Sequence, residues 1–200
     1  MPRNWQVVRI ADINGDGKAD ILWRNMDTGD LVVFTMNGAA IASSVVLATV
    51  PLTYTVVGVG DFNGDGKADI LWRNANGDAV VSLMTGTPSS FAIGSTTLLA
   101  NLPVDWQVAG VADFNGDGRA DILWRNAGSG DVVVSAMNGA SITSTTFMAN
   151  LPLNWQVAGV ADFNADGKAD ILWRDTSGNL VVSLVNGATI TATTFVASLP

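Results

Sequence analysis

Four times in this 200-residue chain, carboxylates and amides occupy alternate positions around a glycine. The sets are Asp12, Asn14, Asp16 and Asp20; Asp61, Asn63, Asp65 and Asp69; Asp113, Asn115, Asp117 and Asp121; and Asp162, Asn164, Asp166 and Asp170. With the first Asp as position 1, oxygen-bearing side chains fall at 1, 3, 5 and 9, and glycine falls at 6. Calcium takes about six to eight oxygens in flexible geometry, and alternate residues of a tight loop can converge on one ion while the glycine permits the sharp turn. A backbone carbonyl at position 7 supplies a further ligand. Lys18, Lys67, Arg119 and Lys168 stand there, and each is expected to offer its carbonyl while its cation stays in water. The chain is therefore expected to bind about four Ca²⁺. Ala165 replaces a glycine at position 4 of the last loop. That position offers no side-chain ligand in the other loops, so the fourth site is expected to survive.

Composition narrows the chemistry to the same conclusion. All 18 acidic residues are Asp, and there is no His and no Cys. These absences remove Ser-His-Asp and Cys-His catalysis, the usual zinc ligands and any disulfide framework. Paired carboxylates exist, but a metal would occupy them and no Glu or His is left as acid or base, so an enzyme is not expected. Three Asp in each of four loops make twelve of the 18, and four Ca²⁺ would bring the formal charge of −8 to about zero. Without metal, three carboxylates in one loop repel, so one should take up a proton or the loop should open. The acidic balance leaves no basic stripe for nucleic acid. No apolar run has the length of a membrane span, and the N-terminus "MPRNWQVV" lacks a signal-peptide pattern.

The elements that must carry these loops follow from a repeat. The first aspartates are spaced 49, 52 and 49 residues apart. The second unit loses one residue in "NANGD" and gains four around "TGTPSS", both expected to be loop changes. Trp5, Tyr54, Trp106 and Trp155 lie in phase, as do Pro2, Pro51, Pro103, Pro152 and Pro200. Within the third unit, "WQVAGVAD", "ADILWRN", "DVVVSAMN" and "TSTTFMANLP" read as four short strands bounded by Gly, Asn and Asp. Some are apolar on successive residues, as expected of sheets covered on both faces. Four-stranded sheets repeated every 50 or so residues form the pattern of β-propeller blades. The expected fold is all-β, with four tandem blades over residues 3–51, 52–103, 104–152 and 153–200.

A helix–loop–helix calcium site is the rival, but its loop needs a bidentate Glu at position 12. Trp23, Trp72, Trp124 and Trp173 occupy that position, and the flanks are strand-like. The segments "GVGDFNGDGKADILW" and "GVADFNGDGRADILW" resemble the calcium loops of FG-GAP/VCBS repeats, the blades of integrin-like β-propellers. The resemblance covers essentially the whole chain in four copies. It implies calcium in the hairpin loop between two strands of each blade. Such propellers commonly have more than four blades, which leaves ring closure open.

Each of these Trp is followed by Arg: Arg24, Arg73, Arg125 and Arg174. Indole faces beside Arg and Asn can hold a sugar ring by stacking and hydrogen bonding. The same residues could instead pack between blades, with the arginines stacked on the rings. Two function classes result. One is a calcium-binding propeller acting as a binding or adhesion module, lectin-like, with a carbohydrate or protein ligand. The other is a structural repeat segment of a larger exported protein, with calcium as a staple and no ligand of its own. Loops of this kind would be poorly filled at cytosolic calcium, so an extracellular or periplasmic setting in a bacterium is expected. Closure is expected through a homodimer completing an eight-bladed ring, with a closed four-bladed monomer as the alternative.

Overall fold

A computed structural model describes residues 3–199; the in-phase Pro2 and Pro200 lie outside them. Sixteen strands and no helix are present among the described residues. The first sheet comprises β1 (Trp5–Ala11), β2 (Asp20–Asn25), β3 (Asp30–Asn37) and β4 (Ala40–Thr49). The second comprises β5 (Tyr54–Gly60), β6 (Asp69–Asn74), β7 (Asp78–Thr87) and β8 (Ser90–Asn101). The third comprises β9 (Trp106–Ala112), β10 (Asp121–Asn126), β11 (Asp131–Met137) and β12 (Ile142–Asn150). The fourth comprises β13 (Trp155–Ala161), β14 (Asp170–Asp175), β15 (Asn179–Asn186) and β16 (Thr189–Ser198). Each sheet is antiparallel with its strands in sequence order, the meander of a propeller blade. Among the described residues no helix is long and apolar enough to cross a membrane.

The chain divides after Leu102 into two compact units, each holding two blades. In the first unit, Ile13, Leu22, Leu31 and Val33 of the leading blade pack on Ile70, Trp72, Met84 and Phe91 of the following one. In the second, Phe114, Leu123, Val132 and Val134 meet Ala169, Ile171, Trp173 and Val185 in the same way. Both faces of a middle strand are thus used: in β2 Leu22 faces forward, while in β6 Trp72 faces back. This is why "DILW" is apolar on successive residues. Each first strand carries a bulge, between Val7 and Arg9 in β1 and between Val56 and Gly58 in β5. The extra residue shifts the alternation, so Val7 and Ile10 stand opposite Trp23 and Ile21 on one face.

The insertion in the second unit is not a loop. Thr85 pairs with Ala92, Gly86 with Phe91 and Thr87 with Ser90, so the extra residues lengthen the β7–β8 hairpin. Its tip reaches the first acidic loop, where the Asn14 side-chain amide donates to the Pro88 carbonyl at 3.4 Å. Phe91 joins Ile13 in the core beneath.

Each blade is also fastened to its own middle turn. Val50 N–H donates to the Gly29 carbonyl at 3.0 Å, and the pairs Leu102–Gly77, Leu151–Gly130 and Leu199–Gly178 repeat this at 2.8, 3.0 and 2.9 Å. Gly29 has φ +82°, and a Cβ there would lie 2.1 Å from the Val50 oxygen, so only glycine permits the approach.

Candidate metal centres

All four acidic loops lie between the first and second strands of their blades, and position 1 shapes each one. Asp12 accepts from Gly15 and Asp16 N–H through Oδ1, at 2.8 and 3.1 Å, and from Gly17 N–H through Oδ2 at 2.7 Å. Asp61 does the same for Gly64, Asp65 and Gly66, and Asp113 for Gly116, Asp117 and Gly118. Asp162 accepts from Asp166 and Gly167. Position 3 accepts from the N–H of position 5: Asn14 from Asp16, Asn63 from Asp65, Asn115 from Asp117 and Asn164 from Asp166. Position 5 accepts from position 7, as Asp65 does from Lys67 at 3.0 Å. One carboxylate thus organises the N–H groups of the turn, while the glycines at positions 4 and 6 adopt positive φ. Ala165 keeps the same path with φ 60°, the one non-glycine residue with positive φ among those described.

Position 9 does something the spacing did not reveal. Asp20, Asp69, Asp121 and Asp170 are completely buried, and each bridges two separate elements. Asp69 Oδ2 accepts from Phe62 N–H at 3.0 Å in the loop, and Oδ1 accepts from Met84 N–H at 2.7 Å in β7. Asp121 joins Phe114 to Met137, Asp20 joins Ile13 to Met36, and Asp170 joins Phe163 to Val185. These residues therefore hold the loop to the third strand, beyond any role as ligands. Burial raises the Asp69 carboxyl to about 7 and Asp121 to about 6, with Asp65 and Asp61, or Asp117 and Asp113, adding repulsion.

Three of the cations at position 7 form ion pairs within their own loops. Lys18 Nζ lies 3.1 Å from Asp16 Oδ2, Lys67 Nζ 3.5 Å from Asp65 Oδ2 and Arg119 Nη1 3.5 Å from Asp117 Oδ2. The Lys67 stem also covers the preceding loop, where a Cβ on Gly15 would meet its Cγ at 3.0 Å; Lys168 covers Gly116 similarly.

The donor set is all oxygen and suits a hard cation. The aspartates, however, are drawn toward the loop's own N–H groups. Among the described residues no three carboxylates are gathered so as to hold an ion.

Of the two readings of the aromatic residues, burial supports packing. Trp72, Trp124 and Trp173 are buried, and each indole N–H donates to a serine of the third strand: Ser82 at 3.0 Å, Ser135 at 3.1 Å and Ser183 at 3.1 Å. These rings pack as core residues of their blades. Trp23 is only half-buried and contacts Phe34, which stands where the other blades have serine. Three of the arginines hold the chain where it leaves their own blades. Arg24 Nη2 donates to the Val50 and Pro51 carbonyls at 3.1 and 2.9 Å, and its Nη1 donates to the Tyr54 carbonyl. Its guanidinium lies 5.6 Å from the centre of the Trp72 ring. Arg73 donates to Leu102 and Arg125 to Pro152. Arg174 is exposed.

The FG-GAP-like repeat family matches in three overlapping stretches, residues 12–72, 61–124 and 113–173. No curated protein matches the sequence. Among solved structures, a chain of a nidogen/laminin complex has a TM-score of 0.55 at 14% identity, over 89% of this chain and 61% of its own. This chain thus spans about three fifths of that relative's length. A Photorhabdus luminescens Tc holotoxin pore gives a TM-score of 0.46 at 19% identity, over 100% of this chain and 12% of its own. A Myxococcus xanthus glutaminyl cyclase gives 0.45 at 11%, over 94% and 75%. With the family pattern running from the first acidic loop to the Trp after the fourth, the chain belongs to the FG-GAP-like repeat family.

Proposed function

We propose that this chain is a calcium-stapled, non-catalytic β-propeller module that works outside the cytosol as a binding or adhesion element. The observation that carries the reading is the common hydrogen-bonded path of all four loops, with oxygen donors at positions 1, 3, 5 and 9 of each. Asp12, Asn14, Asp16, the Lys18 carbonyl and Asp20 would hold the first ion, and their equivalents the other three. Bound calcium supplies positive charge to a loop whose carboxylates otherwise repel. A carbohydrate or protein ligand would sit at a blade junction rather than on the buried tryptophans. In the second unit a crevice of 350 Å³ is lined by Gln107, Arg125, Leu153 and Gln156, offering amide and guanidinium donors beside an apolar side chain.

Titration calorimetry on metal-free protein should give about four Ca²⁺ per chain. With Kd values around 10 µM and calcium near 1 mM, each site adds about 2–3 kcal/mol by linkage. Melting should therefore fall markedly in chelator, and unchanged melting of verified metal-free protein would refute the calcium reading. A glycan array probed in calcium tests the ligand. Absence of binding there leaves the structural repeat segment as the function.

A further inference from the structure

In each unit the acidic loop of the leading blade meets the hairpin made by the last two strands of the following blade, and the two hairpins differ in length. In the second unit Val185 pairs with Ile190, and the four residues 186–189 close the turn. In the first unit the equivalent pair is Met84 with Ile93, and the eight residues 85–92 carry the ladder out by three further pairs to Thr87 and Ser90. The short hairpin touches position 2 of its loop, where Gly187 N–H donates to the Phe114 carbonyl at 2.8 Å. The long one reaches position 3, where the Asn14 amide donates to the Pro88 carbonyl at 3.4 Å.

The effect falls on position 3. Asn14 is 2% exposed. Asn115 is half-buried and borders a pocket of 190 Å³ together with Asp121, Ser144, Gly187 and Ala188. Gly15 is likewise half-buried where Gly116 is exposed. Other surroundings of the two loops are shared. Position 2 is fully buried in both, as Ile13 and Phe114. Position 1 folds both turns through the same acceptors, and a lysine stem covers Gly15 and Gly116 alike. The hairpin is what distinguishes them.

Asn14 is also held in one orientation. Its Oδ1 accepts from Asp16 N–H at 3.0 Å and so faces into the loop, while its Nδ2 faces the hairpin. A ligand oxygen at position 3 needs that orientation, and a hydrogen bond on the far side of a ligating group fixes it. Phe91, 7% exposed, seats the hairpin tip in the core with Ile13.

We infer that the lengthened β7–β8 hairpin is a latch on the first metal centre. Pro88 acts through Asn14 as a positioning residue and the tip covers the loop, so the first loop releases its ion more slowly than the third. The inference rests on the calcium reading proposed above and concerns these two loops alone. Outer partners that orient a ligand are worth about 10- to 100-fold in metal affinity, and the release rates should differ by a similar factor.

Stopped-flow mixing of calcium-loaded protein with a fluorescent chelator resolves the release phases. Asp16→Ala and Asp117→Ala, measured separately, identify the phases of the first and third loops as those each variant loses. The phase lost in Asp16→Ala should be the slower by about 10- to 100-fold. Replacing residues 85–92 by Asn-Gly-Ala-Thr, the sequence of 186–189, should bring that phase to the rate of the third loop with the number of bound ions unchanged. The reciprocal graft of 85–92 in place of 186–189 should slow the phase that Asp117→Ala removes, and it decides the matter if the shortened chain, which loses Phe91, fails to fold. Equal release from the two loops of the unsubstituted protein, or rates that neither hairpin exchange alters, overturns the latch while the bound ions still support the calcium reading. A protein that takes up no calcium in the titration overturns both.

Discussion

Replacing Asp69 with alanine separates the two duties of position 9. The carboxylate is completely buried and is the acceptor for Phe62 N–H at 3.0 Å and Met84 N–H at 2.7 Å. Each buried N–H left without a partner costs about 1–3 kcal/mol, so the loss of both amounts to about 2–6 kcal/mol. Part of this is offset, because desolvation already makes the ionised Asp69 costly, as its rise to about 7 shows. The net expectation for Asp69→Ala is therefore the lower half of the range, about 2–4 kcal/mol. Asp65, also assigned to the metal, accepts from Lys67 N–H at 3.0 Å in an exposed setting. Its replacement by alanine should cost under about 1 kcal/mol without metal. Urea denaturation of both variants in EDTA is the decisive assay, since calcium contributes nothing there. If Asp69→Ala and Asp65→Ala lose equal, small amounts of stability in EDTA, the bridging role is wrong and Asp69 acts only as a ligand.

Other perturbations test the turns and the junction. Ala165→Gly should raise stability by about 0.5–1 kcal/mol, read by thermal melting, because glycine relieves the left-handed penalty at φ 60°. Gly29→Ala would put a methyl 2.1 Å from the Val50 oxygen, whereas Gly17→Ala, at φ +81° with nothing within 4 Å, meets only open space. The second should cost about 1–2 kcal/mol and the first clearly more by urea unfolding. Arg24→Met removes the donors to Val50 and Pro51 and the cation beside Trp72. It should cost about 2 kcal/mol and alter Trp fluorescence.

The strands and loops were legible because both are written in local spacing. "DILW" between an acidic turn and an Asn fixes a short buried strand, and the period fixes four of them. In the third unit the expected strands and the observed β9 to β12 differ by only a residue or two at their ends. What escaped was long-range. The partner of Asp69 Oδ1 is 15 residues away in another strand, and no loop motif records it. The serine that accepts from Trp72 lies 10 residues on, so the ring looked available to a ligand. The "TGTPSS" insertion looked like slack, because only the pairing of Gly86 with Phe91 shows that it continues the hairpin. Arginine after tryptophan was equally ambiguous until its carbonyl partners were visible.

The fastening of Val50 to Gly29, repeated in every blade, bears on how such chains can change length. It ends each blade on its own turn before the next begins. The polar contacts across a junction rest on the main chain. Arg24 reaches the carbonyls of Val50, Pro51 and Tyr54, and Ala68 N–H reaches that of Asp12. Any following blade supplies the same backbone groups, whatever its side chains. Duplication or loss of a whole blade by recombination therefore re-creates these backbone-anchored bonds without a compensating substitution, whereas gain or loss of part of a blade breaks the fastening at once.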